Sequence, residues 1–474
     1  MTAGPKTSAA LSTALGIAAA ALACVRRGQA LDDALRASAP GLAAPERAAA
    51  QDISYSACRR LNLLDALASA LMKTPNPAVD DLLRVALSEL IDHPERAHTI
   101  VDQAVTAAAA VANGTYKPLV NGVLRSFLRE RDVRLQAACS NDAVRRQYPA
   151  WWIARVRAAW PAQWEAILEA GNQRATMTLR VNARSVAPKK NTTGIASGIA
   201  AGDAAVEAFN DAVNHPANFA RALQDAGIAA QRSGGSAFTL SKAQPAARVP
   251  GFADGRFSVQ DLGAQWAAQL LDVQPGMRVL DACAAPGGKT AHLLERADCR
   301  MLALDRDAAR LDTVRANLRR LGLTADCRAA DASLLDTWWR NAPDAWWHNT
   351  QFDRVLLDAP CTASGVIARH PDGKWLKRER DIAALARQQA QLLDALWRVL
   401  KPGGKLLYAT CSVFPEENTR QIDAFLSGHP DARQLNLPFD DIYPLLRVGG
   451  QLLPCAAHGG FYYALLEKPL VETH

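Results

Sequence analysis

From residue 258 onward, five short apolar segments alternate with amphipathic helices: "RVLDAC", "RMLALD", "DCRAAD", "DRVLLDAP" and "GKLLYATC". This rhythm admits few folds. Parallel neighbours cannot be joined by a tight hairpin and need a crossover, usually a helix. Strands separated by helical segments such as "AARLDTVRANLRRL" and "ERDIAALARQQAQLLDALWRVL" therefore predict an α/β, doubly wound, mostly parallel sheet. In such sheets ligands lie beyond the carboxyl ends of the strands. The polar residues at those ends become candidates: Asp281, Asp305, Asp331, Asp358, Cys361 and Cys411.

The first of these strands runs into "LDACAAPGGKTAHLLE", a strand that breaks on two glycines into a helix. Three ligands compete for such a turn. A P-loop requires a glycine five residues before its Gly-Lys-Thr, where this chain has Cys283. A dinucleotide fingerprint requires three spaced glycines, and here there is one pair, Gly287 and Gly288. S-adenosylmethionine needs one close backbone approach and an acid after the second strand for its ribose hydroxyls. Asp305, ending "LALD", is placed for that role, and Asp331 for the adenine edge. The bland alternative is that these acids only cap helices.

Ahead of this region the chain reads differently. Residues 1–145 show apolar spacings of three and four almost throughout, as in "PAVDDLLRVALSELI", and predict an all-α domain. "LGIAAAALACVRR" lacks the basic start of a secretory leader and reads as an Ala-rich buried helix. Residues 146–257 predict a small helical plus α/β subdomain that opens on four tryptophans in "WWIARVRAAWPAQW". These either pack a helical unit or stack on bases, and packing is the simpler reading. Hydrophobic residues at 49% and charged ones at 21% suit a soluble globular protein. The net charge of +7 is compatible with a polyanionic partner without requiring one. Nine widely spaced cysteines without a CxxC pair predict neither a disulfide framework nor a metal site, and fit a reducing cytoplasm. No apolar run predicts a membrane span.

Three segments, "DACAAPGGKT", "LLDAPCTASGVIARHPDGKW" and "YATCSVFPEEN", resemble in content and order the motifs of RNA (cytosine-5) methyltransferases. Residues 1–145 resemble a NusB-type RNA-binding domain. The pairing resembles the bacterial ribosomal small-subunit RNA methyltransferase B family, and the likeness is densest over 250–467. A stretch near 190–215 is longer than that family's usual linker. The resemblance implies a Rossmann-like methyltransferase sheet over 258–474, S-adenosyl-L-methionine as cofactor, 16S rRNA as substrate, and a monomer without metal. It implies a cofactor loop of Cys283, Ala284, Ala285, Pro286, Gly287, Gly288 and Lys289, completed by Asp305, Asp331 and Asp358.

The chemistry of that family needs two thiols. Cytosine C5 is a poor nucleophile until a thiolate adds at C6 and pushes electron density toward it. The resemblance implies Cys411 as that nucleophile, Cys361 as the group that helps release the product, and Asp358 at the N3 edge. Either cysteine alone is more often buried filler. The basic stretch "ARHPDGKWLKRERD", with Arg369, His370, Lys374, Lys377, Arg378 and Arg380, is either a solvated helix start or a contact to RNA phosphates. An assembly factor with a vestigial methyltransferase domain is the competing reading. An amino-group methyltransferase would instead carry an Asn- or Asp-Pro-Pro-aromatic loop where this chain has "DAPC".

Overall fold

The computed structural model describes residues 6–39, 41–184, 216–437, 447–448 and 450–470. The insertion near 190–215 and the chain's last four residues lie outside them. The chain forms two compact units, Met1–Arg174 with Ile367–Asp381, and Ala175–Val366 with Ile382–His474.

The first unit is helical. Its longest helix, Lys6–Arg26, contains the Ala-rich segment; Leu15, Ala18, Leu22 and Val25 are buried in a core shared with Leu64, Leu83, Leu87 and Phe127. Small residues on this helix let its neighbours approach closely, which fits an interior helix. The compact unit continues through the tryptophan-rich helices to Arg174. Asn62 donates to the carbonyls of Ala143 and Tyr148, both at 3.0 Å, and ties the tryptophan-rich helices to the N-terminal ones. Trp152 is buried beside Tyr148, and Trp164 lies under the guanidinium groups of Arg146 and Arg157. The tryptophans therefore pack, as the simpler reading expects.

The segment Ile367–Asp381 belongs to this helical unit, which corrects one expectation. Lys374 is not a phosphate contact: it is fully buried, donating to the Arg59 carbonyl at 2.8 Å and to Asn172 Oδ1 at 2.9 Å. Trp375 Nε1 donates to the Cys58 carbonyl at 2.7 Å, and Asp372 accepts from the backbone N–H of Leu31 at the start of helix Leu31–Ser38. His370, Arg378 and Arg380 remain exposed.

The second unit holds two sheets. A four-stranded antiparallel sheet is built from β1 (Met177–Val181), β2 (Ala230–Gly234), β3 (Ala237–Leu240) and β4 (Phe257–Val259), in the order β2-β3-β1-β4. The large sheet contains β5 (Arg278–Asp281), β6 (Arg300–Asp305), β7 (Asp326–Ala329), β8 (Phe352–Asp358) and β9 (Leu400–Thr410), all mutually parallel. Its order is β9-β8-β5-β6-β7. The predicted Rossmann-like rhythm is thus present, with the order reversing at β5. An antiparallel extension follows: β10 (Arg433–Leu435), β11 (Arg447–Val448), β12 (Gln451–Leu452) and β13 (Phe461–Glu467), with β13 paired to β9.

Candidate functional site

Strand β5 has β6 on one side and β8 on the other, so the crevice beyond its carboxyl end is the place where this fold binds ligands. The loop Cys283–Gly287 leaves β5 there. Gly287 adopts φ +96°, and a Cβ on it would meet Val314 at 3.1 Å, so this position requires glycine. The Gly287 N–H donates to the Ala284 carbonyl at 2.7 Å and closes the turn into helix Gly288–Arg296. Asp281 accepts from Thr290 Oγ1 at 2.7 Å, which locks the strand to that helix. Burial pushes its carboxyl up to about 7, so Asp281 serves the frame of the loop.

A cavity of about 240 Å³ opens beyond these strand ends. It is lined by Cys283, Asp305, Asp331, Asp358, Cys361 and Cys411, six candidates that span 129 positions of sequence, 283 to 411. Ala285 also lines it, as do Arg306 and Arg310, which the sequence reading did not single out. Ala284, Pro286, Gly287 and Gly288 are not among the lining residues and act through the shape of the turn. Asp305 is 5% exposed; its Oδ2 accepts from the Ala285 N–H at 3.2 Å and its Oδ1 from the Asp307 N–H at 3.0 Å. Asp331 lies two residues past β7 and accepts from the N–H and hydroxyl of Ser333, at 2.9 and 2.6 Å. Asp331 thus closes a local turn rather than capping a helix, and it also lines the cavity. Two carboxylates at successive strand ends make an acceptor set suited to a ligand rich in hydroxyl and amino donors, as a nucleoside is.

Lys289 Nζ stands 2.6 Å from Asp358 Oδ2 and 5.7 Å from the centre of the Phe461 ring. Burial opposes its charge, but Asp358 outweighs that effect, and Cys411 and Asp281 add to the pull. Its pKa accordingly stands above the ordinary lysine value. A cation is therefore held beside Asp358.

The two cysteines leave neighbouring parallel strands, with Asp358 of β8 in register with Ala409 of β9. Their sulfur atoms are 3.4 Å apart. The hydrogen bond to Cys411, then burial, then negative charge at Cys411 and Glu417 push the Cys361 thiol well above its ordinary range. The loops carrying them touch elsewhere: the Gly365 N–H donates to the Cys411 carbonyl at 2.8 Å. A Cβ on Gly365 would stand 2.4 Å from the Gly460 carbonyl oxygen, so glycine is again required.

Three regions match known family models: residues 12–129 the NusB family, 148–201 the ferredoxin-like domain of RsmF/B-like methyltransferases, and 268–467 the 16S rRNA methyltransferase RsmB/F family. Ribosomal RNA small subunit methyltransferase B of Erwinia tasmaniensis is 40% identical over 452 residues, covering 94% of this chain and 96% of that protein. The protein of the same name from Vibrio cholerae is 39% identical, covering 93% and 94%. A solved structure of a methyltransferase homologue from Pyrococcus horikoshii superposes with a TM-score of 0.53 at 26% identity, covering 69% of this chain and 97% of that one. Among the described residues no helix is long and apolar enough to cross a membrane, and no group of three or more His, Cys, Asp or Glu is placed to hold a metal. The cavity, the loop that forms its floor and these likenesses agree: the chain belongs to the ribosomal RNA small subunit methyltransferase B family, whose methyl donor is S-adenosyl-L-methionine.

Proposed function

We propose that this protein methylates C5 of a cytosine in small-subunit rRNA through a covalent bond between Cys411 and cytosine C6. The observation that carries the reading is the Cys361–Cys411 pair, two thiols 3.4 Å apart on the wall of the cavity that also presents Asp305 and Asp331. An amino-group methyltransferase has no use for such a pair.

In this reading the Cys411 thiolate attacks C6, and Asp358 holds the N3 edge while charge develops on the ring. The bound cofactor supplies an electrophilic methyl on sulfur. Asp305 and Asp331 would accept hydrogen bonds from the nucleoside part of that cofactor, and Lys289 keeps positive charge beside Asp358. After transfer a base takes the C5 proton, the C–H electrons restore the C5–C6 double bond, and Cys411 leaves as a thiolate. Cys361 stands within reach of the departing sulfur.

The test is nucleoside analysis. Unmodified small-subunit rRNA is incubated with the purified protein and methyl-labelled S-adenosylmethionine, digested and separated. Label in 5-methylcytidine is expected. Label in an N4-methylated cytidine, or in another base, would overturn the reading.

A further inference from the structure

The cysteine separation is not set by the cysteines' own strands alone. Glu417 is fully buried in the short turn Pro415–Glu417, and it does not line the cavity. Its carboxylate has four donors. Oε1 accepts from the Thr362 N–H at 2.9 Å and from Gln389 Nε2 at 3.2 Å. Oε2 accepts from Thr362 Oγ1 at 2.6 Å and from Ser412 Oγ at 2.5 Å. Thr362 follows Cys361 and Ser412 follows Cys411, so one carboxylate grips the residue after each thiol. Ser364 closes the knot: its Oγ lies 3.0 Å from Ser412 Oγ and accepts from the Val413 N–H at 2.9 Å. Asn418 adds a strut, donating to the Ser412 carbonyl at 2.9 Å.

A buried carboxylate is costly unless it is fully hydrogen-bonded. A core that needed only stability would do as well with apolar side chains of the same volume. What the carboxylate contributes is direction: it can be satisfied only with both loops in one relative position. We propose that Glu417 is a positioning residue that fixes the spacing of Cys361 and Cys411, an inference that rests on the reading of these two thiols as the catalytic pair.

The test uses the full chain and two readouts. Phenylarsine oxide condenses with two close thiols, forming two arsenic–sulfur bonds and releasing one water, with arsenic(III) unchanged in oxidation state. Capture at Cys361 and Cys411, mapped by mass spectrometry, therefore reads their spacing without methylation. The wild type should capture the arsenical across this pair. Glu417→Ala should lose that capture and lower kcat by roughly 100-fold, the cost of a misplacement of about 1 Å, with KM for RNA and affinity for S-adenosylmethionine unchanged. Glu417→Gln keeps one acceptor and offers an amide to hydroxyls that can rotate to accept it. It should restore capture and keep kcat within about tenfold of the wild type. If Glu417→Ala no longer binds S-adenosylmethionine, Ser412→Ala, which removes one arm only, takes its place with the same expected losses in smaller measure. Capture by the alanine variant at the wild-type rate would overturn the proposal, whatever happens to kcat. A wild type that captures the arsenical but leaves cytosine unmethylated would overturn the catalytic reading and leave the role of Glu417 in spacing the thiols intact.

Discussion

Arg180 on β1 and Glu295 on the helix Gly288–Arg296 form a buried ion pair through two hydrogen bonds, 3.0 and 2.7 Å long, with side chains 0% and 1% exposed. The same guanidinium donates to Gln260 and, at 3.2 Å, to the Gly288 carbonyl. Arg180 thereby joins the small antiparallel sheet to the helix that the glycine turn begins. Removing one partner would leave the other charge buried and alone, whereas removing both would not. Arg180→Met should cost roughly 3–5 kcal/mol in denaturant unfolding of the full chain, and the double variant Arg180→Met with Glu295→Leu should recover most of it. Additive losses in the double variant would show that the pair is not coupled.

Asp305 offers a second measurable link. Its carboxylate is nearly buried and faces the cavity. Leaving a buried polar partner unpaired costs roughly 1–3 kcal/mol. Asp305→Ala should weaken S-adenosylmethionine binding by that amount in calorimetry. Unchanged affinity would remove Asp305 from the ligand's contacts.

The two cysteines should fail differently. Cys411→Ala should abolish both methylation and covalent RNA adducts, because C5 is never activated. Cys361→Ala should leave a protein–RNA complex that survives a denaturing gel, because the methylated adduct cannot break down. The reverse pattern would exchange the two roles.

Lys374 makes stability depend on pH. Burial is the main cause of its pKa lying well below the ordinary 10.5. As a neutral amine its two N–H groups are matched by the Arg59 carbonyl and Asn172. Between its lowered folded value and 10.5 the unfolded chain binds the extra proton, so stability rises with pH across that window. Below the folded value both states hold the proton and the dependence stops. The stability of the wild type relative to Lys374→Met should therefore increase from neutral pH toward pH 10. A pH-independent difference would show that Lys374 titrates in the folded protein as it does in the unfolded one.

Much of this molecule was legible in the sequence. Apolar strand segments separated by amphipathic helices determined the parallel sheet, because tight turns cannot join parallel strands. Gly287 after a buried strand marked the tight turn beside the cavity, since a backbone at positive φ asks for glycine. The polar residues at strand ends marked the site, because a doubly wound sheet exposes its functional edge there. Tertiary structure decided what lies between segments far apart in the chain. Lys374 stands in a run of basic residues that looks solvated, yet it is buried, because burial depends on the helices packed over it and not on its neighbours in sequence. Arg180 and Glu295, 115 positions apart, carry no local pattern that announces a pair. Glu417 sits in a motif read for its cysteine, and only the folding of β8 against β9 brings Thr362 to a carboxylate that Ser412 already meets from its own loop. Local periodicity reports how a segment folds; which polar groups are left facing one another is fixed by packing, where each buried donor and acceptor must find a partner from whatever segment arrives.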